Sequence, residues 1–347
     1  MTRREVVIDA IKFRRPAYVP WNWGPTVPCA QKLMKHLGVG DLTAFLQPHL
    51  LGVGEGCFRC EAVDANHVRD IYGVVWDRSV DQDIGTPCDW PIRRPEDLDR
   101  FSWPDANNPQ WYVGIEERLA RHRDLFRIYY MGFTLFERSW TMRGMEDLLV
   151  DMAERPEFVE RLLDAIVEHN LVQIHKALGF GVDAFYFGDD YGMQTGLIMG
   201  LPHWRHFIKP RLARMFAPVR AAGKFVYLHC CGKVDSIFDD LVEIGLNVFN
   251  PFQPDVMDVL GLLRSYRGRL AFHGGMSVQK VLPFGTVEQV REMTRRLIAA
   301  GTEGGYIFAP SHAVPGDVPP ENLVAMMDVL TRQEGFRAPR GGPEGKP

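Results

Sequence analysis

The sequence predicts an α/β fold and, within that class, a single (β/α)8 TIM barrel. From about residue 110, short apolar runs alternate at least six times with longer segments that carry apolar residues at helical spacing. Strand followed by helix, repeated, indicates parallel strands joined by crossover helices. Polar residues follow nearly every one of these strands, as at the C-terminal face of a barrel. A doubly wound sheet would instead carry a glycine-rich phosphate turn early in the chain, and no GxGxxG is present.

Composition narrows the class of protein further. The chain has 347 residues, 46% of them hydrophobic, with a formal net charge of −4. This composition has no excess of positive charge of the kind that binds nucleic acid or an anionic membrane surface. No run approaches the length of a transmembrane helix, and the first residues lack the apolar core of a signal peptide. We therefore expect a cytoplasmic protein without nucleic-acid or membrane partners.

We expect residues 1–335 to form the barrel domain and residues 336–347 to form a flexible tail. Residues 1–105 lack the later alternation and are rich in Gly, Pro and Trp, which predicts an irregular extension packed on the barrel. Within it, a strand pair is expected near Val68–Trp76, and the charged end of the run Gly73–Arg78 could face a cleft. The other predicted strands are 126–132, 184–187, 225–228, 248–253, 270–275 and 305–312, and the clearest helices are 4–13, 156–178, 203–222 and 287–300.

The strand at 225–228 runs into His229-Cys230-Cys231-Gly232. Side chains two residues apart on an extended chain point to the same face, so His229 and Cys231 could bind one soft metal ion. The alternative is a buried cysteine beside a hydrogen-bonded histidine. His312, after another predicted strand, is the best candidate for a third ligand, although it could also be a plain loop histidine. One Cys and two His would make a sound zinc site with an open position.

Further polar residues at strand ends are candidates for substrate handling. Asp189 and Asp190 cannot both face inward, and one of them could be a fourth ligand, a general base or the partner of a ligating imidazole. The alternative is an aspartate that caps the next helix. His273 precedes two glycines, a pattern typical of close backbone approach to a ligand. Asn250 offers an amide donor for a substrate oxygen, or simply a turn.

The six cysteines are expected to be reduced in a cytoplasmic chain of this length. Cys230 points away from the Cys231 face and is expected in the core. The CxxC at Cys57 and Cys60 has no second pair at finger spacing, so it is expected to carry no function.

Several short motifs together resemble the uroporphyrinogen decarboxylase superfamily, and within it the corrinoid-dependent methyltransferase branch. They occur in the same order along the chain and span about residues 3–330. The motifs are Arg4-Glu5-Val6-Val7 with Ala10-Ile11, His229-Cys230-Cys231-Gly232, Phe284-Gly285-Thr286-Val287-Glu288-Gln289-Val290 and Pro319-Pro320-Glu321-Asn322-Leu323.

The resemblance implies a (β/α)8 barrel and a zinc site. In the coenzyme M methyltransferases of that branch, a His-x-Cys pair and a later Cys hold zinc. The pair maps onto His229 and Cys231, and His312 stands where the later Cys would be. The decarboxylase branch places an arginine-rich motif around the substrate carboxylates, whereas residues 21–25 here read Trp-Asn-Trp-Gly-Pro.

These observations predict a zinc-dependent methyltransferase that moves a methyl group between a small methylated substrate and a corrinoid. No Asp-x-His-x-x-Gly cobalamin-ligating motif is present, so the corrinoid is expected in trans, on a transiently docked corrinoid protein. Zinc bound by one thiolate and two imidazoles carries a net positive charge, which favours demethylation over methylation of a thiol. The alternatives are decarboxylation of a porphyrinogen and a non-catalytic barrel that binds a corrinoid or tetrapyrrole.

Overall fold

The computed structural model describes residues 1–54 and 59–338. Its helices agree closely with the periodicity of the sequence. Each predicted helix is present, with ends that differ by at most a few residues, except that the helix predicted over 203–222 is interrupted. The helices are α1 Arg3–Ile11, α2 Val27–Leu37, α3 Thr43–Leu46, α4 Ile115–Arg121, α5 Phe136–Arg143, α6 Met145–Glu154, α7 Pro156–Leu178, α8 Gly200–His203, α9 Lys209–Ala221, α10 Phe238–Ile244, α11 Val259–Ser265, α12 Val281–Phe284, α13 Val287–Gly301 and α14 Pro320–Thr331.

Eleven strands accompany these helices in the described residues. They are β1 Leu50–Val53, β2 Cys60–Ala62, β3 His67–Asp70, β4 Val75–Asp77, β5 Thr86–Asp89, β6 Phe126–Met131, β7 Ala184–Gly188, β8 Phe225–His229, β9 Val248–Phe252, β10 Ala271–Met276 and β11 Tyr306–Pro310.

The chain forms two compact units that interleave along the sequence. Unit 1 comprises Met1–Leu51, His122–Phe126 and Asn247–Pro347, and unit 2 comprises Gly52–Arg121 and Arg127–Leu246. The segment predicted as an N-terminal extension is therefore divided, with residues 1–51 in unit 1 and 52–105 in unit 2. No helix of residues 1–54 and 59–338 is long and apolar enough to cross a membrane.

Unit 1 is organised around the parallel strands β9, β10 and β11. Phe272 on β10 lies opposite Phe249 on β9 and Tyr306 on β11. All three side chains are fully buried, as expected for strands of a parallel sheet that is covered on both faces. The Tyr306 hydroxyl donates to the carbonyl oxygen of Gly274 at 2.6 Å, which satisfies a polar group that burial would otherwise penalise.

The two C-terminal motifs of the family resemblance are structural in unit 1. Thr286 caps α13 and forms a capping box with Gln289, whose side chain accepts from the Thr286 N–H at 2.7 Å. Asn322, near the start of α14, donates through Nδ2 to the carbonyl oxygens of Leu282 and Gly285 at 2.8 and 2.9 Å. The first motif therefore fixes the start of α13, and the second ties the start of α14 to the end of α12.

The tryptophan-rich segment near residue 21 packs inside unit 1. Trp21 forms an isolated parallel bridge with Phe308, and its indole is fully buried. Its ring lies 4.8 Å from that of Phe336, the first residue of the predicted tail. Trp23 donates through Nε1 to Met327 Sδ at 3.3 Å. This segment therefore contributes core, and the rest of the tail, from residue 339, lies outside the described residues.

A buried histidine beside Trp21 makes unit 1 sensitive to acid. His49 is fully buried, with Nε2 3.0 Å from the Tyr18 hydroxyl. Burial, followed by the positive charge of Arg3, lowers the pKa of His49 to about 3. The imidazole is therefore neutral in the folded protein at any pH at which enzymes normally work.

This histidine gives a testable pH dependence. The unfolded imidazole has a pKa of about 6.5, so below that pH the unfolded chain binds a proton that the folded chain excludes. The free energy of unfolding is expected to fall by about 3 kcal/mol from this group between pH 6.5 and 4. Urea unfolding at several pH values should show this loss, and His49→Gln should reduce the slope. His122→Gln, at an exposed histidine, should keep it; equal slopes in both variants would contradict the assignment.

Unit 2 contains the parallel strands β6, β7 and β8 and the long helices that follow them. Tyr129 on β6 pairs with Phe185 on β7, which pairs with Val226 on β8. All three are buried. Because the strands are parallel, the segments that follow β6, β7 and β8 emerge at one end of the sheet.

Residues 60–89 form an antiparallel sheet in the order β2-β3-β4-β5. The predicted strand pair is present as β3 and β4, with Val68 opposite Trp76. β2 and β5 were not predicted, because they are short and their residues are mostly exposed, without an apolar alternation.

The predicted helix over 203–222 is interrupted. Trp204–Ile208 forms a π-helical turn, in which the Lys209 N–H bonds to the carbonyl oxygen of Trp204, and α9 begins after it. Pro210 lacks the N–H that a continuous α-helix would need at that position, which accounts for the change in hydrogen-bond pattern.

Candidate active site

The end of β8 places His229 and Cys231 on one face, as the alternation predicts. Cys231 Sγ lies 3.6 Å from His229 Nε2. The imidazole side chain is 22% exposed and Cys231 is half-buried, so both are accessible. Cys230, between them, is fully buried, and its Sγ accepts from the Tyr191 N–H at 3.1 Å. The prediction that Cys230 belongs to the core is confirmed.

The donor pair fits a tetrahedral zinc ion. Zn–S of about 2.3 Å and Zn–N of about 2.0–2.1 Å at a tetrahedral angle imply an S···N separation of about 3.5 Å. The observed 3.6 Å agrees. The same distance also suits a thiol–imidazole hydrogen bond, and metal analysis distinguishes the two arrangements.

The charge around the pair is negative. Asp190 Oδ1 accepts from the Cys231 N–H at 2.6 Å and lies 3.8 Å from His229 Nε2. Burial, and then the charges of Asp190 and Glu137, raise the pKa of the Cys231 thiol. The neutral thiol is therefore favoured unless a cation compensates the charge. A divalent metal ion supplies that compensation, whereas a thiol without one stays protonated and inert.

Gly232 and Gly192 bring the loops after β8 and β7 together. Gly232 has a φ of +90°, and a Cβ there would overlap the backbone of Gly192. Only glycine accommodates both the left-handed backbone and this contact. The contact holds the His229–Cys231 segment against the Asp189–Asp190 segment.

Asp189 and Asp190 face different surroundings, as the sequence predicts for adjacent residues. Asp189 is fully buried and accepts from the N–H groups of Phe136 and Glu137, at 2.9 and 2.6 Å, and from the Tyr191 hydroxyl at 2.8 Å. Burial raises the pKa of Asp189 to about 7. Its carboxylate thus caps the start of α5, the helix after the preceding strand, and thereby positions Glu137.

Glu137 follows the predicted strand at 126–132, and no sequence motif points to it. Burial, and then the charges of Asp190 and Asp189, raise the pKa of Glu137 well above its usual value. A carboxyl of this kind is suited to proton transfer. Sequence reasoning does not find this carboxyl because the residue lies on a helix whose position depends on Asp189, more than fifty residues away.

Asn250 and His273 lie together in unit 1. Asn250 Nδ2 donates to the His273 carbonyl oxygen at 3.0 Å, and His273 Nε2 lies 3.0 Å from the Asn22 carbonyl oxygen. His273 is only 7% exposed. Gly274, after it, has a positive φ, and a Cβ there would overlap the Phe252 backbone. The strand β9 therefore accounts for this glycine without a ligand.

His312 and the two cysteines of the CxxC are the remaining residues singled out from the sequence. His312 is exposed and lies two residues beyond the end of β11 in unit 1. Cys60 is exposed on β2, and Cys57, its partner in the CxxC, lies outside the described residues.

The sequence of the chain matches a known protein family. The sequence model of the uroporphyrinogen decarboxylase (URO-D) family matches residues 83–333, well over half of the chain. The chain belongs to the uroporphyrinogen decarboxylase family. This confirms the predicted resemblance and the α/β fold of the (β/α)8 barrel class.

Relatives of two kinds are similar to this URO-D family member. A uroporphyrinogen decarboxylase of Methylococcus capsulatus is 23% identical over 261 residues, which cover 69% of each chain. A methylated-thiol–coenzyme M methyltransferase of Methanosarcina mazei is 22% identical over 255 residues, which cover 72% of this chain and 65% of that protein. A solved structure of a methyltransferase from Methanosarcina mazei has a TM-score of 0.69 at 16% identity and covers 95% of this chain and 98% of that one. Sequence identity alone does not separate the two activities.

Proposed function

We propose that this protein is a zinc-dependent methyltransferase that moves a methyl group between a small methylated substrate and a corrinoid on a partner protein. The observation that carries the proposal is the Cys231–His229 pair, with Sγ and Nε2 3.6 Å apart in negatively charged surroundings. A metal-free decarboxylase has no need for a thiol and an imidazole held in this way.

The proposed zinc ligands are His229, Cys231 and His312. The first two are placed by β8. His312 follows β11, and in a (β/α)8 barrel the C-terminal ends of all strands open onto one face. Bound zinc would act as a Lewis acid on the heteroatom that carries the methyl group.

Residues around the ligands have distinct proposed roles. Asp190 holds the backbone of Cys231 and lies beside the His229 ring, so it orients both ligands. Asp189 acts through α5 and positions Glu137. Glu137, with its raised pKa, would supply a proton to the heteroatom after the methyl group leaves without the bonding electron pair. Asn250 and His273, joined by their hydrogen bond, would orient the substrate.

The charges of the described site argue against porphyrinogen decarboxylation. A substrate with many carboxylates needs several free cations, and bidentate arginines are the usual solution. Residues 21–25 contain none. Arg138, next to Glu137, is buried and already paired with Asp70 at 2.8 Å.

The corrinoid is proposed to arrive in trans and to dock over the strand ends. The chain has no Asp-x-His-x-x-Gly cobalamin-ligating motif. Methyl transfer needs the cobalt within about 3–3.5 Å of the methyl carbon. The carrier must also leave to exchange its methyl group, so a modest, partly polar interface is expected.

A single-turnover assay tests the proposal. The zinc-loaded protein is mixed with O-, N- and S-methyl donors and with reduced cobalamin, either free or on a cognate corrinoid protein, and methylation is followed by the cobalt absorbance. Transfer is expected, faster with the carrier protein, and uroporphyrinogen should yield no coproporphyrinogen. Decarboxylation of uroporphyrinogen, or no transfer from any donor, would overturn the proposal. Equal rates with free and carrier-bound cobalamin would remove the docking partner.

A further inference from the structure

One face of β6, β7 and β8 carries three tyrosines in a row, which the proposed function does not use. Tyr130 lies opposite Tyr186, and Tyr186 lies opposite Tyr227, in the register of the parallel strands. Residues opposite each other in a parallel register share a face of the sheet, and His229 shares it too because it lies two residues beyond Tyr227. The three phenol rings therefore form a layer directly before the first proposed metal ligand.

The rings contact one another and the His229 imidazole. The ring centres of Tyr130 and Tyr186 are 4.5 Å apart, and those of Tyr186 and Tyr227 are 6.4 Å apart with their planes at 27°. The Tyr186 ring centre also lies 5.8 Å from that of His229, at an angle of 37°. All three separations are within the range of attractive aromatic pairs. Tyr186 is thus the central ring of the layer, and it contacts the imidazole.

The glycine at position 188 leaves room for this contact. Gly188 lies opposite His229 in the register and two residues after Tyr186 on the same face. A Cβ at Gly188 would lie 3.8 Å from Tyr186 Cε1, so a longer side chain there would occupy the space beside the ring. Because Gly188 has no side chain, the Tyr186 ring reaches diagonally along the sheet to the imidazole.

The backbone of β8 does not by itself fix the plane of the His229 imidazole. The torsion that rotates a histidine ring is broad and roughly two-fold, so the contacts of the ring decide its orientation. Cys231 Sγ at 3.6 Å and Asp190 Oδ1 at 3.8 Å both lie at Nε2, on the edge of the ring. Tyr186 adds a ring-to-ring contact, which rotation of the imidazole would break.

We propose that Tyr186 is a positioning residue for the metal site, and that it holds the His229 imidazole in the orientation that directs Nε2 toward Cys231. The contribution comes from the aromatic ring and does not need the hydroxyl. A ligand that is held in place before the metal ion arrives loses less freedom on binding, so the metal ion binds more tightly. This deepens the proposed function and rests on its zinc site, but it does not depend on the identity of the methyl donor.

Zinc affinities measured by competition with a chromophoric chelator test this role without turnover. Tyr186→Leu should weaken zinc binding about 10-fold, which is near the top of the range for one aromatic pair and at the bottom of the range for groups that orient a metal ligand. Tyr186→Phe keeps the ring and should bind zinc within about 3-fold of the unmodified protein.

Phe185→Leu is the matched control. Phe185 is fully buried on the same strand but on the opposite face, where its ring centre lies 5.5 Å from that of Tyr129. This variant should lower the free energy of unfolding, because it removes part of a buried ring, and it should leave the zinc affinity unchanged. A general loosening of the sheet is thereby separated from a change at the metal site.

The visible absorption of the cobalt(II)-substituted protein gives a second readout, because it reports the geometry of the ligands. Tyr186→Phe and Phe185→Leu should keep the spectrum of the unmodified protein, whereas Tyr186→Leu should change the positions or intensities of the bands. An unchanged zinc affinity in Tyr186→Leu, or an equal loss in Phe185→Leu or Tyr186→Phe, would overturn the positioning role and leave the proposed function intact. The expected order of affinities without methyl transfer from any donor would retain the role and reject the methyltransferase. An unmodified protein that binds no zinc would reject both.

Discussion

Replacing Cys231 with alanine is expected to remove nearly all zinc from the purified protein and to abolish methyl transfer. The unmodified protein should carry about one zinc per chain. Changes in the surroundings of a metal ligand alone lower metal affinity about 10- to 100-fold, so the loss of a thiolate ligand should exceed that. Metal analysis after dialysis against a weak chelator measures the effect directly.

Cys230 provides a matched control one residue away. Its thiol is fully buried and points into the core, where it accepts from the Tyr191 N–H. Cys230→Ala should lower the free energy of unfolding by about 1–2 kcal/mol but keep the zinc. His229→Ala should resemble Cys231→Ala. Equal zinc contents in the Cys230 and Cys231 variants would show that the thiol–imidazole contact is an ordinary hydrogen bond.

The sequence predicts those features of the site that depend on residues close together along the chain. Alternation along an extended chain is enough to separate Cys230 from His229 and Cys231, and the structure confirms the separation. The different surroundings of Asp189 and Asp190 follow from the same rule. Strand–helix alternation likewise predicts the parallel strands, because each element carries its own periodic pattern.

What sequence misses depends on contacts between distant segments. Asp189 caps α5, although it lies 52 residues from Glu137 along the chain. No sequence pattern near the aspartate predicts that contact. The contact between the Trp76 and Phe133 rings is equally non-local. The Gln289 and Asn322 motifs, which carry the family resemblance, hold helix ends in place.

The buried ion pair between Asp70 and Arg138 gives the second large prediction. Asp70 and Arg138 have side chains that are only 8% and 6% exposed. Asp70 Oδ1 accepts from the N–H groups of Tyr72 and Val74, and its Oδ2 accepts from Trp76 Nε1 and Arg138 Nη1. Asp70→Asn would turn an amide N–H toward two donors and leave the guanidinium without its carboxylate. Breaking such a pair costs about 3–5 kcal/mol.

Arg138→Met should cost less than Asp70→Asn, because the Asp70 carboxylate keeps three N–H donors when the guanidinium is removed. The double variant should be more stable than the sum of the two single losses predicts, since neither charge is then left alone in the core. Urea unfolding of the four proteins measures these differences. Glu117→Gln, in the exposed pair with Arg121, should change the free energy of unfolding by less than about 1 kcal/mol. If Arg138→Met is at least as destabilising as Asp70→Asn, the three N–H donors do not stabilise the lone carboxylate, and the asymmetry derived from their geometry is wrong.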